Sequence, residues 1–120
     1  MLSTEQWKPT RFSSYLVSQW GRVKSTKRGG DRVLQSHIDS EGEPFVSLYH
    51  EGHTQKVRVA YLVAEAFVPN PHRWLAVKRK NGIKTDIAAD NMMWTLSTEM
   101  PRYFATFTWN RFAPRTMAHL

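Results

Sequence analysis

The chain has 120 residues, 41% of them hydrophobic and 12% aromatic, which suits one small domain with a modest core and excludes wholesale disorder. No cysteine is present, so disulfides and thiolate zinc sites are excluded. A formal net charge of +7 points to an acidic partner, nucleic acid first, and excludes an acidic mimic of DNA. The amino-terminal stretch M-L-S-T-E-Q-W-K-P has no apolar signal region, and no run approaches a membrane span. A cytoplasmic protein without a membrane partner is the expectation.

In chain order, Tyr15-Leu16-Val17 reads as a short strand. Gly21 supplies a tight turn, and Arg22 to Ser25 returns with polar and apolar residues alternating. Tyr15, Val17 and Val23 should face the core. Gly29-Gly30 marks a loop. Arg22, Lys24, Lys27, Arg28 and Arg32 crowd this segment against the single acid Asp31. Such a basic loop is either a phosphate clamp or a solvated surface.

Three strands are predicted next: Val33 to Ile38, Phe45 to Tyr49 and Gln55 to Val59. Asp39 to Glu43 forms the first turn between them and Glu51-Gly52 the second. Acids at 39, 41, 43 and 51 make this the least basic region, so it should lie away from nucleic acid. Ala60 to Phe67 then places Leu62, Val63, Ala66 and Phe67 on one helical face, and Pro69 ends the helix. Further on, Asn91 is expected to make a turn hydrogen bond, and Trp94 to enter the core.

The tail from Pro101 alternates Tyr103, Phe104, Phe107, Trp109 and Phe112 with Arg102, Arg111 and Arg115. Aromatics with interleaved arginines stack on unpaired bases, or complete a core or a protein contact. Of the five histidines, His50 and His53 flank a hairpin turn and His37 lies near Asp39, but none meets a known metal-ligand spacing.

Two stretches carry a family resemblance. Val77 to Met100 resembles the core of an HNH endonuclease, whose pattern runs Val-(Asn/Asp)-His, Gly-x-Lys, Asn-Leu-x-Trp and Glu-Asn. Val77, Gly82, Lys84, Asn91, Trp94 and Glu99 keep that frame. Trp7, Lys8, Pro9, Tyr15, Val17, Ser18, Gly21, Arg22, Val23 and Ser25 resemble the modular DNA-binding segment that precedes such cores in phage and intron nucleases, with Gln19 in place of an Asn. Ala60 to Phe67 resembles the family helix His-Arg-Leu-Val-Ala-Glu-Ala-Phe, with Ala60 and Tyr61 in place of the polar pair. At the family's metal-ligand and general-base positions stand Lys78, Arg79 and Met100. Arginine stays protonated, lysine repels a cation, and a thioether is a poor ligand for magnesium.

The resemblance implies a small α+β domain: an antiparallel β region, a central helix, a degenerate ββα unit and a C-terminal extension. Residues 5–32 would form the modular segment, 44–100 the HNH-like core within a domain over 1–100, and 101–120 the extension. It also implies a protein of phage or mobile-element origin, acting in the host cytoplasm, that is not an enzyme and holds DNA without cutting it. Arg22, Lys24, Lys27, Arg28, Arg32, Lys78, Arg79, Lys80 and Lys84 would contact phosphates. No cofactor and no metal are expected. A second reading is a phage-encoded regulator or inhibitor anchored on a host protein by Tyr103, Phe104, Phe107, Trp109 and Phe112. A third is an active nuclease whose metal has moved toward His50 and His53.

Overall fold

A computed structural model describes residues 4–96. Met100 and the aromatic tail lie outside the described residues. The first sheet is a four-stranded antiparallel meander of β1 (Trp7–Pro9), β2 (Tyr15–Ser18), β3 (Val23–Ser25) and β4 (Arg32–Val33). In β2 and β3, Tyr15, Val17, Val23 and Ser25 are buried, as the alternation predicts. Register pairs Tyr15 with Ser25 and Val17 with Val23, so these residues share one face. β1 was not expected as a strand. Its Pro9 is tolerated because β1 is an edge.

The second sheet joins β5 (His37–Ile38), β6 (Pro44–His50) and β7 (His53–Arg58). The predicted single strand over 33–38 is therefore split between two sheets. Leu34 N–H still donates to the Val23 carbonyl, and the chain then crosses to pair His37 with Phe45. Between β6 and β7, Glu51 and Gly52 both take positive φ, 54° and 84°, the conformation a two-residue hairpin turn needs.

β7 runs directly into α1 (Val59–Phe67). Its buried residues are Val59, Ala60, Leu62, Val63 and Ala64, while Ala66 and Phe67 pack at the margin. Val68 N–H closes the last turn on the Ala64 carbonyl before Pro69 removes the next donor. The chain then forms the hairpin of β8 (Ala76–Arg79) and β9 (Met92–Thr95).

One core serves all three sheets. Phe12, Tyr15, Val17 and Val23 meet Val46, Leu48 and Val57, the inner face of α1 and Met92. Burying each aliphatic side chain contributes about 1.5–3 kcal/mol. The Tyr15 hydroxyl accepts the Tyr49 N–H at 3.0 Å, tying the first sheet to the second. The first sheet is also pinned to the hairpin connection: Ala89 N–H donates to the Gln19 carbonyl at 2.8 Å. Gly21 has φ +92°, and a Cβ there would stand 2.6 Å from Ile87 Cγ1. Gln19 does more than replace an Asn. Its side chain accepts from Gln6 N–H and donates to the Thr4 carbonyl, fastening the amino-terminal segment.

Candidate nucleic-acid interface

The hairpin is set against α1 by two side chains. The Tyr61 hydroxyl accepts the Val77 N–H at 3.2 Å, and Trp94 Nε1 donates to the Val68 carbonyl at 3.0 Å. Their rings meet edge to face at 6.1 Å. Burial pushes the Tyr61 phenol up to about 12, with Glu43 adding to the rise, so it stays a neutral partner near physiological pH. With β8 fixed, Lys78 is exposed and its neighbour Arg79 is buried.

Arg79 is spent inside the fold. Its guanidinium pairs with the Glu43 carboxylate and donates to the Lys84 carbonyl from Nε at 3.2 Å and Nη2 at 3.0 Å. Lys84 Nζ in turn donates to the Glu41 carbonyl at 2.7 Å. The acidic turn 39–43 therefore packs against the hairpin loop. The reason is charge pairing at long range: Arg58 bridges Asp39 at 2.8 Å and Glu41 at 3.0 Å, and Arg79 takes Glu43. Burial alone would raise the Asp39 carboxyl. The N–H groups of Glu43 and Glu41 and the Arg58 guanidinium outweigh it, holding Asp39 below the ordinary carboxylate range.

The connection between β8 and β9 is braced by amides. Asn91 Nδ2 donates to Asn81 Oδ1 and to the Asp86 carbonyl, while Asn91 Oδ1 accepts the Asn81 N–H. Asn81 Nδ2 reaches Asp86 Oδ2 at 2.8 Å. The turn bond expected of Asn91 is thus one part of a larger bracket.

The first sheet's cations are engaged differently. Arg22 Nε donates to Glu5 at 2.9 Å, and Lys24 Nζ lies 3.2 Å from Asp31. Both stand over the Trp7 ring. Lys27 donates to the Tyr49 carbonyl at 2.8 Å and sits 4.8 and 4.9 Å from the Tyr15 and Tyr49 ring centres. Arg28 lies in the short 3-10 turn over Lys27–Gly29, and Arg32 is exposed on β4. Among the sequence-predicted cations, Lys78, Lys80, Lys84 and Arg32 are exposed without a carboxylate partner, a property shared by Lys8, Lys56 and Arg73 among the other described residues. The sequence-predicted set is thus divided between a hairpin group and a first-sheet group, with Arg79 withdrawn into the interior.

His50 and His53 face one another across the β6–β7 register. His50 lies 3.4 Å from Glu51 and edge-on to Phe12. Among the described residues, no three His, Cys, Asp or Glu side chains are grouped to hold a metal ion. The HNH family uses a divalent ion on oxygen ligands. Lys78 and Arg79 offer only positively charged donors and do not fit such an ion, and Glu43 is committed to Arg79.

With a β-rich first module, a helix and a following β hairpin in this order, the chain is similar to HNH endonucleases, one of them from a phage. It is 32% identical over 84 residues to the H-N-H endonuclease F-TflII of Escherichia phage T5, a match covering 68% of this chain and 42% of that protein. Its structure is similar to that of the HNH homing endonuclease I-HmuI, solved in a study of DNA binding and cleavage, with a TM-score of 0.68 and 26% identity. That match covers 92% of this chain and 60% of the other. No family model matches the sequence. The chain thus spans less than two thirds of either protein.

These likenesses correct one expectation. The substitutions at Lys78, Arg79 and Met100 led to a protein that is not an enzyme. Both similar proteins are endonucleases by name, and nothing in the described residues shows that activity to be lost. Three sequence positions were too narrow a basis for that conclusion. The α+β class, by contrast, holds: small antiparallel sheets surround one helix.

Proposed function

We propose that the chain engages double-stranded DNA as an HNH-endonuclease-type module, gripping the phosphate backbone from the β8–β9 hairpin. The observation that carries this reading is the exposure of Lys78 and Lys80 without a carboxylate partner among the described residues. Lysines held this way gain from phosphate contact because they surrender no existing ion pair. Lys84, anchored to the acidic turn, and the first-sheet group of Arg22, Lys24, Lys27, Arg28 and Arg32 extend the contact. Arg22, Lys24, Lys27 and Lys84 must exchange their present partners for phosphates, which reduces the gain from each. The first module and the HNH-like core act together in this reading, because their described residues share one apolar interior.

A gel-shift titration of a mixed-sequence duplex tests the proposal. With four or five phosphates neutralised, affinity should fall roughly 100- to 500-fold between about 50 and about 200 mM salt. Absence of any shift at the lower salt would overturn it. Plasmid incubated with magnesium or manganese in parallel reads nicking, the activity carried in the names of the two similar proteins.

A further inference from the structure

The connection between β8 and β9 exposes an apolar side chain in a basic setting. Ile83 is 54% exposed, with Lys80 and Lys84 on either side in the chain, both also exposed. The backbone that carries this side chain is held by hydrogen bonds. Ile83 N–H donates to Asn81 Oδ1 at 2.9 Å, and its carbonyl accepts the Asp86 N–H at 3.1 Å. Gly82, at φ +77°, turns the chain just before it, closed by its N–H on the Arg79 carbonyl. Below, Lys80 N–H bonds the Asn91 carbonyl at 2.7 Å, and the buried Arg79 holds the Lys84 carbonyl. Both backbone groups of Ile83 are satisfied, so its side chain is what the loop presents.

We propose that Ile83 is an apolar wedge that enters duplex DNA at a deformable base step while Lys80, and Lys84 on exchanging the Glu41 carbonyl for phosphate, straddle it on the backbone. Apolar side chains inserted this way unstack a step and kink the duplex, and pyrimidine–purine steps yield most easily. The wedge rests on the DNA-binding reading and adds a deformation that phosphate contacts alone do not produce. A rigid mount suits the task, because the side chain must stay extended while it displaces stacked bases.

Permanganate oxidises unstacked thymines wherever they occur, so no target sequence is needed. The full chain is bound to a mixed-sequence duplex at low salt, and each sample is also run in a gel shift. The wild-type complex should show thymine reactivity above naked DNA. Ile83→Ala should return it to the naked level with affinity within about threefold of wild type, because the phosphate contacts remain. Ile83→Leu should keep the reactivity. Ile83→Lys should bind at least as tightly yet lose it, separating charge from insertion. A shifted wild-type complex without reactive thymines overturns the wedge alone, as does reactivity that persists in Ile83→Ala. A wild-type chain that shifts no duplex overturns both the wedge and the reading beneath it.

Discussion

The two basic regions of this molecule look alike in sequence and differ in what their charges are doing. In the first sheet, Arg22 is held by Glu5, Lys24 by Asp31 and Lys27 by the Tyr49 carbonyl and two aromatic rings. On the hairpin, Lys78 and Lys80 stand open while Arg79 between them is buried. Adjacent strand residues point to opposite faces, so Lys78 faces out and Arg79 in, and Lys80, in the turn just past β8, is exposed again. A cation count therefore overstates the interface. What matters is which charges lack a partner already.

The hairpin side of the comparison breaks most severely at its buried strut. Glu43→Ala leaves the Arg79 guanidinium buried without its carboxylate and should cost about 3–5 kcal/mol, read by urea denaturation. A loss typical of an exposed pair would mean that Arg79 is not holding the loop. Tyr61→Phe comes next. It orphans the Val77 N–H and should cost about 1–3 kcal/mol. The same residue has an alkaline signature: its folded value of about 12 lies above the ordinary 10.0, so its contribution is complete below pH 10.0 and fades as pH rises toward about 12. In Tyr61→Phe that alkaline loss should diminish.

A direct contest between the two regions has a smaller effect. Replacing both Lys78 and Lys80 with Ala should reduce the magnitude of the salt slope by about 1.8 and weaken duplex binding roughly tenfold or more at low salt. Replacing both Arg22 and Lys24 should do less, because Glu5 and Asp31 already hold them. Equal losses in the two double variants, measured by gel shift, would erase the distinction. The smallest effect is expected at acid pH. Asp39 sits below its ordinary 3.8, so its stabilising contribution is present above that value and is lost as pH falls through the folded one. Asp39→Asn should be less stable than wild type near neutrality, and the gap should close below pH 3.8.

Much of the chain's local structure was legible. Alternation located β2 and β3, the Glu51-Gly52 turn located the second hairpin, and Pro69 located the helix end. The break at Leu34 was not, because Val33 and Ile38 carry strand-like character into two different sheets and remain 45% and 57% exposed. The lysines at 78 and 80 could be singled out from their place in the family frame, and the structure leaves both exposed. The fate of Arg79 could not, since its partner Glu43 lies 36 residues away and no local pattern links them. Tyr61 was noted only as a lost polar position. That its hydroxyl would catch a strand amide depends on how α1 meets β8, which no spacing rule conveys.

Gly21 carries a lesson for anyone wishing to recombine such parts. Without a side chain, it lets the first module sit flush on Ile87, with the Gln19–Ala89 bond beside it. Transplanting residues 5–32 onto a foreign hairpin would therefore succeed only where the recipient offers the same shallow seat and a free amide opposite Gln19. The joint is a matched fitting, and swapping one half alone should yield chimeras that express as aggregates.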